Sequence, residues 1–268
     1  MNRLFVLALA GASAFNFGVA SAADIFVPPP IEYVEEVKPD YTGWYIRGDA
    51  GYLFESKTDW NYRMFGQDDF SEYHYDRVKH KSGYTVGAGV GYRFAEHFRT
   101  DVSADYYSFD IEGNSRCPIA PFAGSFGPGC SFDDRSDADV WTVMANAYVD
   151  LPYFGPLTPY FGAGIGFAHV SYGDLKNDIR DASGSVVFSD VHSGEDSWRF
   201  ASSLMAGVSY DVIKNVALDV GYRYTRVFDG DAYGWDTEDT ALGATGVQTR
   251  DNGFDIHAVR AGLRYTFF

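Results

Sequence analysis

The stretch Val259-Arg260-Ala261-Gly262-Leu263-Arg264-Tyr265-Thr266-Phe267-Phe268 decides the fold. In an extended strand, alternate side chains point to opposite faces. Val259, Ala261, Leu263, Tyr265 and Phe267 therefore share one face, and Arg260, Gly262, Arg264 and Thr266 share the other. The phrase recurs as Ala88-Gly89-Val90-Gly91-Tyr92, Ala163-Gly164-Ile165-Gly166-Phe167 and Ala206-Gly207-Val208-Ser209-Tyr210. Each copy sets Ala, an aliphatic and an aromatic against Gly and a small or charged residue. Such strands build a sheet that is apolar outside and lined with glycine and charge inside, which is the pattern of a transmembrane β-barrel.

Working outward from this phrase, the same alternation predicts strands over about 43–54, 83–94, 98–109, 139–149, 160–172, 197–212 and 216–227, before the closing strand. Long polar stretches at roughly 55–81, 112–138, 173–196 and 228–254 alternate with short turns at 95–97, 150–159 and 213–215. Within the third long stretch, Ser185-Val186-Val187-Phe188 is either a strand extension or a small hairpin. An even strand count with short turns at one end and long loops at the other gives the fold class. It is an all-β, eight-stranded antiparallel up-and-down transmembrane barrel over residues 43–268, with short periplasmic turns and four long extracellular loops.

Eight strands leave a lumen that side chains can fill, whereas an open channel needs more. The alternation turns Arg47, Asp49, Arg93, Arg99, Asp101, Asp105, Asp150, Arg199, Asp211, Asp219, Arg223, Arg260 and Arg264 inward. Enclosed opposite charges have to pair, because an unpaired buried charge is costly. The expectation is a salt-bridge network that plugs the barrel, with glycines making room for the arginines. The alternative is a narrow wet channel.

The N-terminus reads as a secretory leader over 1–22: basic Asn2-Arg3, a mostly apolar run from Leu4 to Phe15, and an Ala-x-Ala ending at Ala20-Ser21-Ala22. Residues 23–42, with Pro28-Pro29-Pro30 and a run of acids, read as an extended periplasmic lead-in. The leader implies an oxidising compartment, where Cys117 and Cys130 form a disulfide across one loop, with two free thiols as the alternative. A net charge of −16 argues against nucleic-acid binding. An aromatic content of 18% suits the two aromatic girdles of a barrel.

Motifs that would carry catalysis or cofactors fail on inspection. Gly87-x-Gly89-x-Gly91 has period two, so its glycines lie on one strand face and do not form a phosphate loop. Asp229-Gly230-Asp231-Ala232-Tyr233-Gly234 starts like a calcium loop, but Tyr233 and Thr240 stand where ligands are needed. Diffuse cation binding by Asp229, Asp231, Asp236, Glu238 and Asp239 stays open, and no metal, cofactor or catalytic residue is assigned. His169-Val170-Ser171 is the nearest approach to a hydrolytic pair, and its spacing is ordinary.

Trp44-Tyr45-Ile46-Arg47-Gly48, Pro159-Tyr160-Phe161-Gly162-Ala163-Gly164, Leu218-Asp219-Val220-Gly221-Tyr222-Arg223-Tyr224 and the Ala-Gly-Leu-Arg-Tyr ending carry a likeness. The chain resembles the small Gram-negative outer-membrane β-barrel family, the porin-family or OmpA-like membrane domain of surface-antigen type. The resemblance implies residence in the outer membrane among lipid and lipopolysaccharide. It also implies delivery by periplasmic chaperones to the barrel-assembly machinery, which would read Leu263, Tyr265, Phe267 and Phe268. Phe267, rather than Phe268, is in phase with Tyr265 and Leu263. No peptidoglycan-binding domain follows, so a wall-anchoring role is not carried over.

The functional expectation is a structural barrel that supports the envelope and displays its loops, not an enzyme. A low-conductance diffusion porin is the first alternative. An adhesin or receptor acting through loop aromatics such as Trp60, Tyr62, Tyr73, Tyr75 and Trp235 is the second.

Overall fold

A computed structural model describes residues 42–64, 73–118 and 126–267. The expected leader, the lead-in up to residue 41 and Phe268 lie outside the described residues. In chain order the strands are β1 (Gly43–Phe54), β2 (Ser56–Thr58), β3 (Trp60–Tyr62), β4 (Tyr73–His74), β5 (Arg77–Ala95), β6 (Phe98–Arg116), β7 (Ser131–Asp150) and β8 (Leu157–Tyr172). They continue as β9 (Leu175–Arg180), β10 (Val186–His192), β11 (Asp196–Ile213), β12 (Val216–Val227), β13 (Gly230–Tyr233), β14 (Thr249–Asp251) and β15 (Phe254–Phe267). One short helix, Thr237–Ala241, precedes β14.

Eight strands close a ring in the order β1, β5, β6, β7, β8, β11, β12, β15 and back to β1, with every pairing antiparallel. Closure pairs the backbone within the sheet and leaves no edge, which a lipid environment demands. No helix among the described residues is long and apolar enough to cross a membrane.

The outward face of the ring is apolar. Trp44 pairs across to Tyr92 on one side and Phe267 on the other, and Tyr52 pairs with Tyr84, so aromatics collect at two levels. From Trp44 to Phe54 the strand advances ten residues. At about 3.3 Å each and a tilt near 40°, that is roughly 25 Å, the height of an outer-membrane apolar band. Large apolar side chains within it, such as Val102, Ile165 and Leu204, remain more than half exposed to the surroundings, which are lipid.

The strands run further than the sequence reading places them. β6 continues to Arg116 and β7 begins at Ser131, with unbroken register from Phe98↔Val149 to Arg116↔Ser131. β5 likewise begins at Arg77, and the expected first loop also contributes β2, β3 and β4. The physical reason is a reversal of polarity along one strand. On β6 the outward residues are Phe98, Val102, Ala104 and Tyr106, and then Ser108, Asp110, Glu112 and Asn114. The inward residues are Arg99, Asp101, Ser103 and Asp105, and then Tyr107, Phe109 and Ile111. Above the membrane the wall becomes a water-facing β-structure with an ordinary apolar core. Leu53, Trp60, Val78, Phe109, Tyr233 and Phe254 lie at the centre of that core.

A second sheet, β13-β14-β3-β4, covers this core. Through it Trp60 reaches Tyr172, Tyr233 and Tyr75, with ring centroids 5.6, 5.3 and 6.2 Å away. Trp60 and Tyr62 are therefore buried, which removes them from the expected set of exposed, ligand-seeking loop aromatics. Val186-Val187-Phe188 belong to a hairpin: β10 pairs with β9, and β9 extends the wall by pairing with β7. Cys117 and Cys130 are joined across the tops of β6 and β7, with Cα atoms 5.5 Å apart. Closing that connection contributes on the order of 3 kcal/mol.

Candidate functional site

The inward face of the membrane-spanning part is a continuous polar network. Asp105, on β6, sits at its centre: Oδ2 accepts from Arg223 Nη1 at 2.9 Å and from Ser103 Oγ at 3.0 Å, and Oδ1 accepts from Arg260 Nη2 at 2.6 Å. Arg260 also pairs with Asp49. Asp49 accepts from Arg47 Nη1 at 3.0 Å, and Arg47 Nε lies 2.9 Å from Asp101. Asp101 then takes Tyr45 Oη at 3.1 Å and Asn146 Nδ2 at 2.7 Å. The chain of contacts thus crosses β6, β12, β15, β1 and β7.

A second layer lies toward the short turns. Asp150 receives Arg93 at 2.9 Å and Arg99 at 3.0 Å. The Arg99 guanidinium stands 4.2 Å from the Tyr148 ring and 4.8 Å from the Tyr160 ring, a cation–π sandwich. Arg264 pairs with Asp219 at 3.1 Å and donates to Ser209 at 3.0 Å. At the other end Arg199 meets Asp251 at 2.5 Å, and Asp251 also accepts from Tyr172 Oη at 2.8 Å.

Glycine makes this crowding possible. A Cβ on Gly87 would lie 2.1 Å from Asp105 Oδ1 and 2.5 Å from Arg260 Nη2. One on Gly91 would lie 2.3 Å from the Tyr45 ring. The period-two glycines thus share one strand face, the lumen face, and each leaves space for a long side chain from a neighbouring strand.

Of the thirteen charged residues that alternation turns inward, twelve line the lumen: Arg47, Asp49, Arg93, Arg99, Asp101, Asp105, Asp150, Arg199, Asp219, Arg223, Arg260 and Arg264. Asp211 does not. It keeps the inward phase, paired with Ala217 in the register that sets Ser209 against Asp219, but it stands exposed at the open rim, just before the irregularity between Asp211 and Ile213. Asp251 takes the place that sequence reasoning left empty: it lies on β14, inside what reads as an acidic loop, and folds back over Arg199. With it, seven arginines face six aspartates, and every arginine has an acidic partner.

A gap within the network, bordered by Arg47, Arg99, Tyr148, Asp219 and Arg260, amounts to about 40 Å³, room for roughly one to three water molecules. Above the charge network the apolar core continues the filling, so two layers of opposite character lie in series along the barrel axis.

The other sequence candidates scatter. His169 faces outward and its ring packs on Trp198 at 5.0 Å, so it belongs to the upper aromatic girdle. Asp231 pairs with Arg250 at 3.2 Å, away from any calcium-type loop. Leu263, Tyr265 and Phe267 all face lipid on β15.

The extracellular wall holds one acid of a different kind. Asp134, on β7 well above the apolar band, is buried beside Asn177, whose amide donates to it. Burial, only partly offset by that bond, pushes its carboxyl up to about 7. In the unfolded chain it would titrate near ~4. The folded state therefore holds the proton longer, and stability is highest in acid. It falls as pH rises from about 4 to about 7 and is flat above that. Hydrogen exchange of residues 131–135 and 175–180 is expected to be slower at pH 5 than at pH 8, by an opening free energy on the order of 2 kcal/mol. Asp134→Asn is expected to remove the difference.

Comparison with known proteins places this geometry. The family model described as "Outer membrane protein beta-barrel domain" matches residues 7–267. An uncharacterised protein of Brucella suis biovar 1 is 47% identical over 272 residues, covering 94% of each chain. The outer membrane protein PagN of Salmonella typhimurium is 26% identical over 185 residues, 68% of this chain and 73% of its own. A candidate adhesin of Rickettsia conorii is 25% identical over 224 residues, 83% of this chain and 81% of its own. Among solved structures, the outer membrane protein OprG from Pseudomonas aeruginosa superposes with a TM-score of 0.51 at 17% identity, covering 84% of this chain and 96% of its own; that likeness is one of fold. A lipid-facing girdle, a closed eight-stranded ring and a family match over nearly the whole length lead to one assignment: the chain belongs to the outer membrane protein β-barrel domain family and resides in the Gram-negative outer membrane.

Proposed function

We propose that the protein is a structural, non-conducting barrel that braces the outer membrane and holds a folded platform above it. The observation that carries this reading is the double filling of the lumen, by an ion-pair network at membrane level and by an apolar core above. Hydrated ions need a continuous wet path, and a gap of a few waters at most under an apolar core does not supply one. Lipid and lipopolysaccharide would contact the apolar band. The assembly machinery and its chaperones would handle the closing strand through Leu263, Tyr265 and Phe267. No reacting group is required in this role. Purified protein in planar bilayers is expected to show no steady current above the leak of the bare membrane. Sustained, sizeable open currents would overturn the reading in favour of a diffusion porin.

One observation favours a second role, surface attachment. On β10 Val186, Val187, Phe188 and Val191 stand about half exposed. β10 is also the terminal strand of its sheet among the described residues. An apolar strand with an unpaired backbone edge is suited to adding a strand from another protein. The adhesin-type name of the Rickettsia relative agrees with this role. Removing residues 175–192 is expected to abolish attachment to host-type surfaces while the barrel still assembles. Undiminished attachment would sink this second reading.

A further inference from the structure

The acidic residues of the fourth extracellular connection do not act as one diffuse patch. Asp231 is neutralised by Arg250, whereas Asp236 turns toward β10. There it meets Asp190 and His192, which share a face because they are two residues apart on a strand. One ligand atom from each of the three residues lies within 4.8 Å of the other two. Glu238 and Asp239 border the same cleft.

Two features separate this cluster from ordinary surface acids. His192 is only 8% exposed, and its Nδ1 is enclosed without a hydrogen-bond partner among the described residues. A buried imidazole nitrogen left unpaired is costly unless something occupies it. In addition, Asp190, Asp236 and Asp239 are half-buried beside this imidazole, and no Lys or Arg lies within ion-pair distance of them or of Glu238 among the described residues. Negative charge gathered around an unpartnered imidazole lacks a cation.

We propose that Asp190, His192 and Asp236 form a binding site for one divalent transition-metal ion of the zinc class. Imidazole with two carboxylates is a ligand set for such ions, while calcium and magnesium take oxygen alone. Ligand atoms around zinc stand roughly 3.3–4.2 Å apart, so small side-chain rotations complete the site. With three protein ligands, the ion retains a position for water. Asp236 keeps its other duty, since Oδ1 accepts the Asp239 backbone N–H at 2.7 Å. The ion would clip the β9–β10 hairpin to the connection between β13 and β14, fixing two extracellular segments that are far apart in sequence. This proposal does not depend on whether the lumen conducts.

The test is calorimetric titration of the full chain, free of any histidine tag, in detergent micelles with zinc, calcium and magnesium chlorides in parallel. The expected result is one zinc per chain with a dissociation constant on the order of 10 µM or tighter at neutral pH. His192→Gln and Asp236→Asn are each expected to weaken it at least about tenfold. Asp231→Asn, in the acid already neutralised by arginine, is expected to change it less than about twofold. Unchanged affinity in His192→Gln, equal loss in Asp231→Asn, or calcium bound as tightly as zinc would each overturn the site. Should a variant not fold, hydrogen exchange of the unmodified protein decides. Zinc is expected to slow exchange in both 186–192 and 233–241, and no slowing in either segment refutes the clip.

Discussion

Asp105→Ala is expected to destabilise the barrel by about 3–5 kcal/mol. Asp105 is fully enclosed and, among the described residues, is the sole acidic partner within ion-pair distance of Arg223, which is itself enclosed, while Arg260 retains Asp49. Removing the carboxylate leaves a guanidinium in a space of low polarisability with no counter-charge, and the cost is that of desolvating a cation with nothing in return. The measurement is urea unfolding in micelles, followed by tryptophan emission and by the heat-dependent gel mobility of folded barrels. Asp76→Asn is the matched control. Its pair with Arg116 is exposed on both sides, so removing it is expected to cost less than ~1 kcal/mol. Substituting both partners, Asp105→Leu with Arg223→Met, is expected to recover much of the loss, because a buried pair gains little over apolar side chains of similar volume. A loss no greater than that of the surface control would show that water reaches the pair freely, and the plugged lumen would fall with it.

The parts of this fold written in alternation were legible, and the parts that depend on a change of phase were not. Leu263-Arg264-Tyr265 and Gly89-Val90-Gly91 repeat one two-residue rule, so the ring, its order and its lipid-facing side follow from counting. On β6 the rule changes sign between Tyr106 and Tyr107. The sequence reading ends the strand at Phe109 and takes 112–138 as loop, yet Asp110, Glu112 and Asn114 continue the outward face of the same strand. The period of two persists through that point. Only the solvent changes, from hydrocarbon to water, and the apolar face turns inward with it. A reader tracking phase rather than polarity would have found Tyr107, Phe109 and Ile111 aimed at a core. Asp251 is a harder case. Its place over Arg199 depends on a distant β13–β14 pairing, and no local pattern announces that. Asp211 shows the converse: alternation points it inward and its register with Ala217 keeps that phase, but at the open rim of the barrel the position is exposed and not enclosed.

The second large effect tests the other half of the molecule. Trp60→Ala is expected to cost about 3–5 kcal/mol, but locally rather than throughout. Trp60 is 2% exposed and sits among Tyr75, Tyr172 and Tyr233, which together tie the covering sheet to the inner wall. Loss of the indole opens a cavity at that junction, whereas the ion pairs around Asp105 lie below it on other strands and keep their partners. Amide exchange in β3, β4, β13 and β14 is therefore expected to accelerate by roughly a hundredfold to several thousandfold, with residues 84–92 of β5 unchanged. Trp60→Phe is expected to cost less, since the indole N–H has no acceptor among the described residues and only volume is lost. Uniform acceleration across all eight barrel strands would mean that the platform and the membrane ring unfold as one unit. The change of phase on β6 would then mark a change of solvent but no boundary in stability. Acceleration confined to the covering sheet, with no current gained in planar bilayers, would show that the charge layer seals the lumen without help from the core above it.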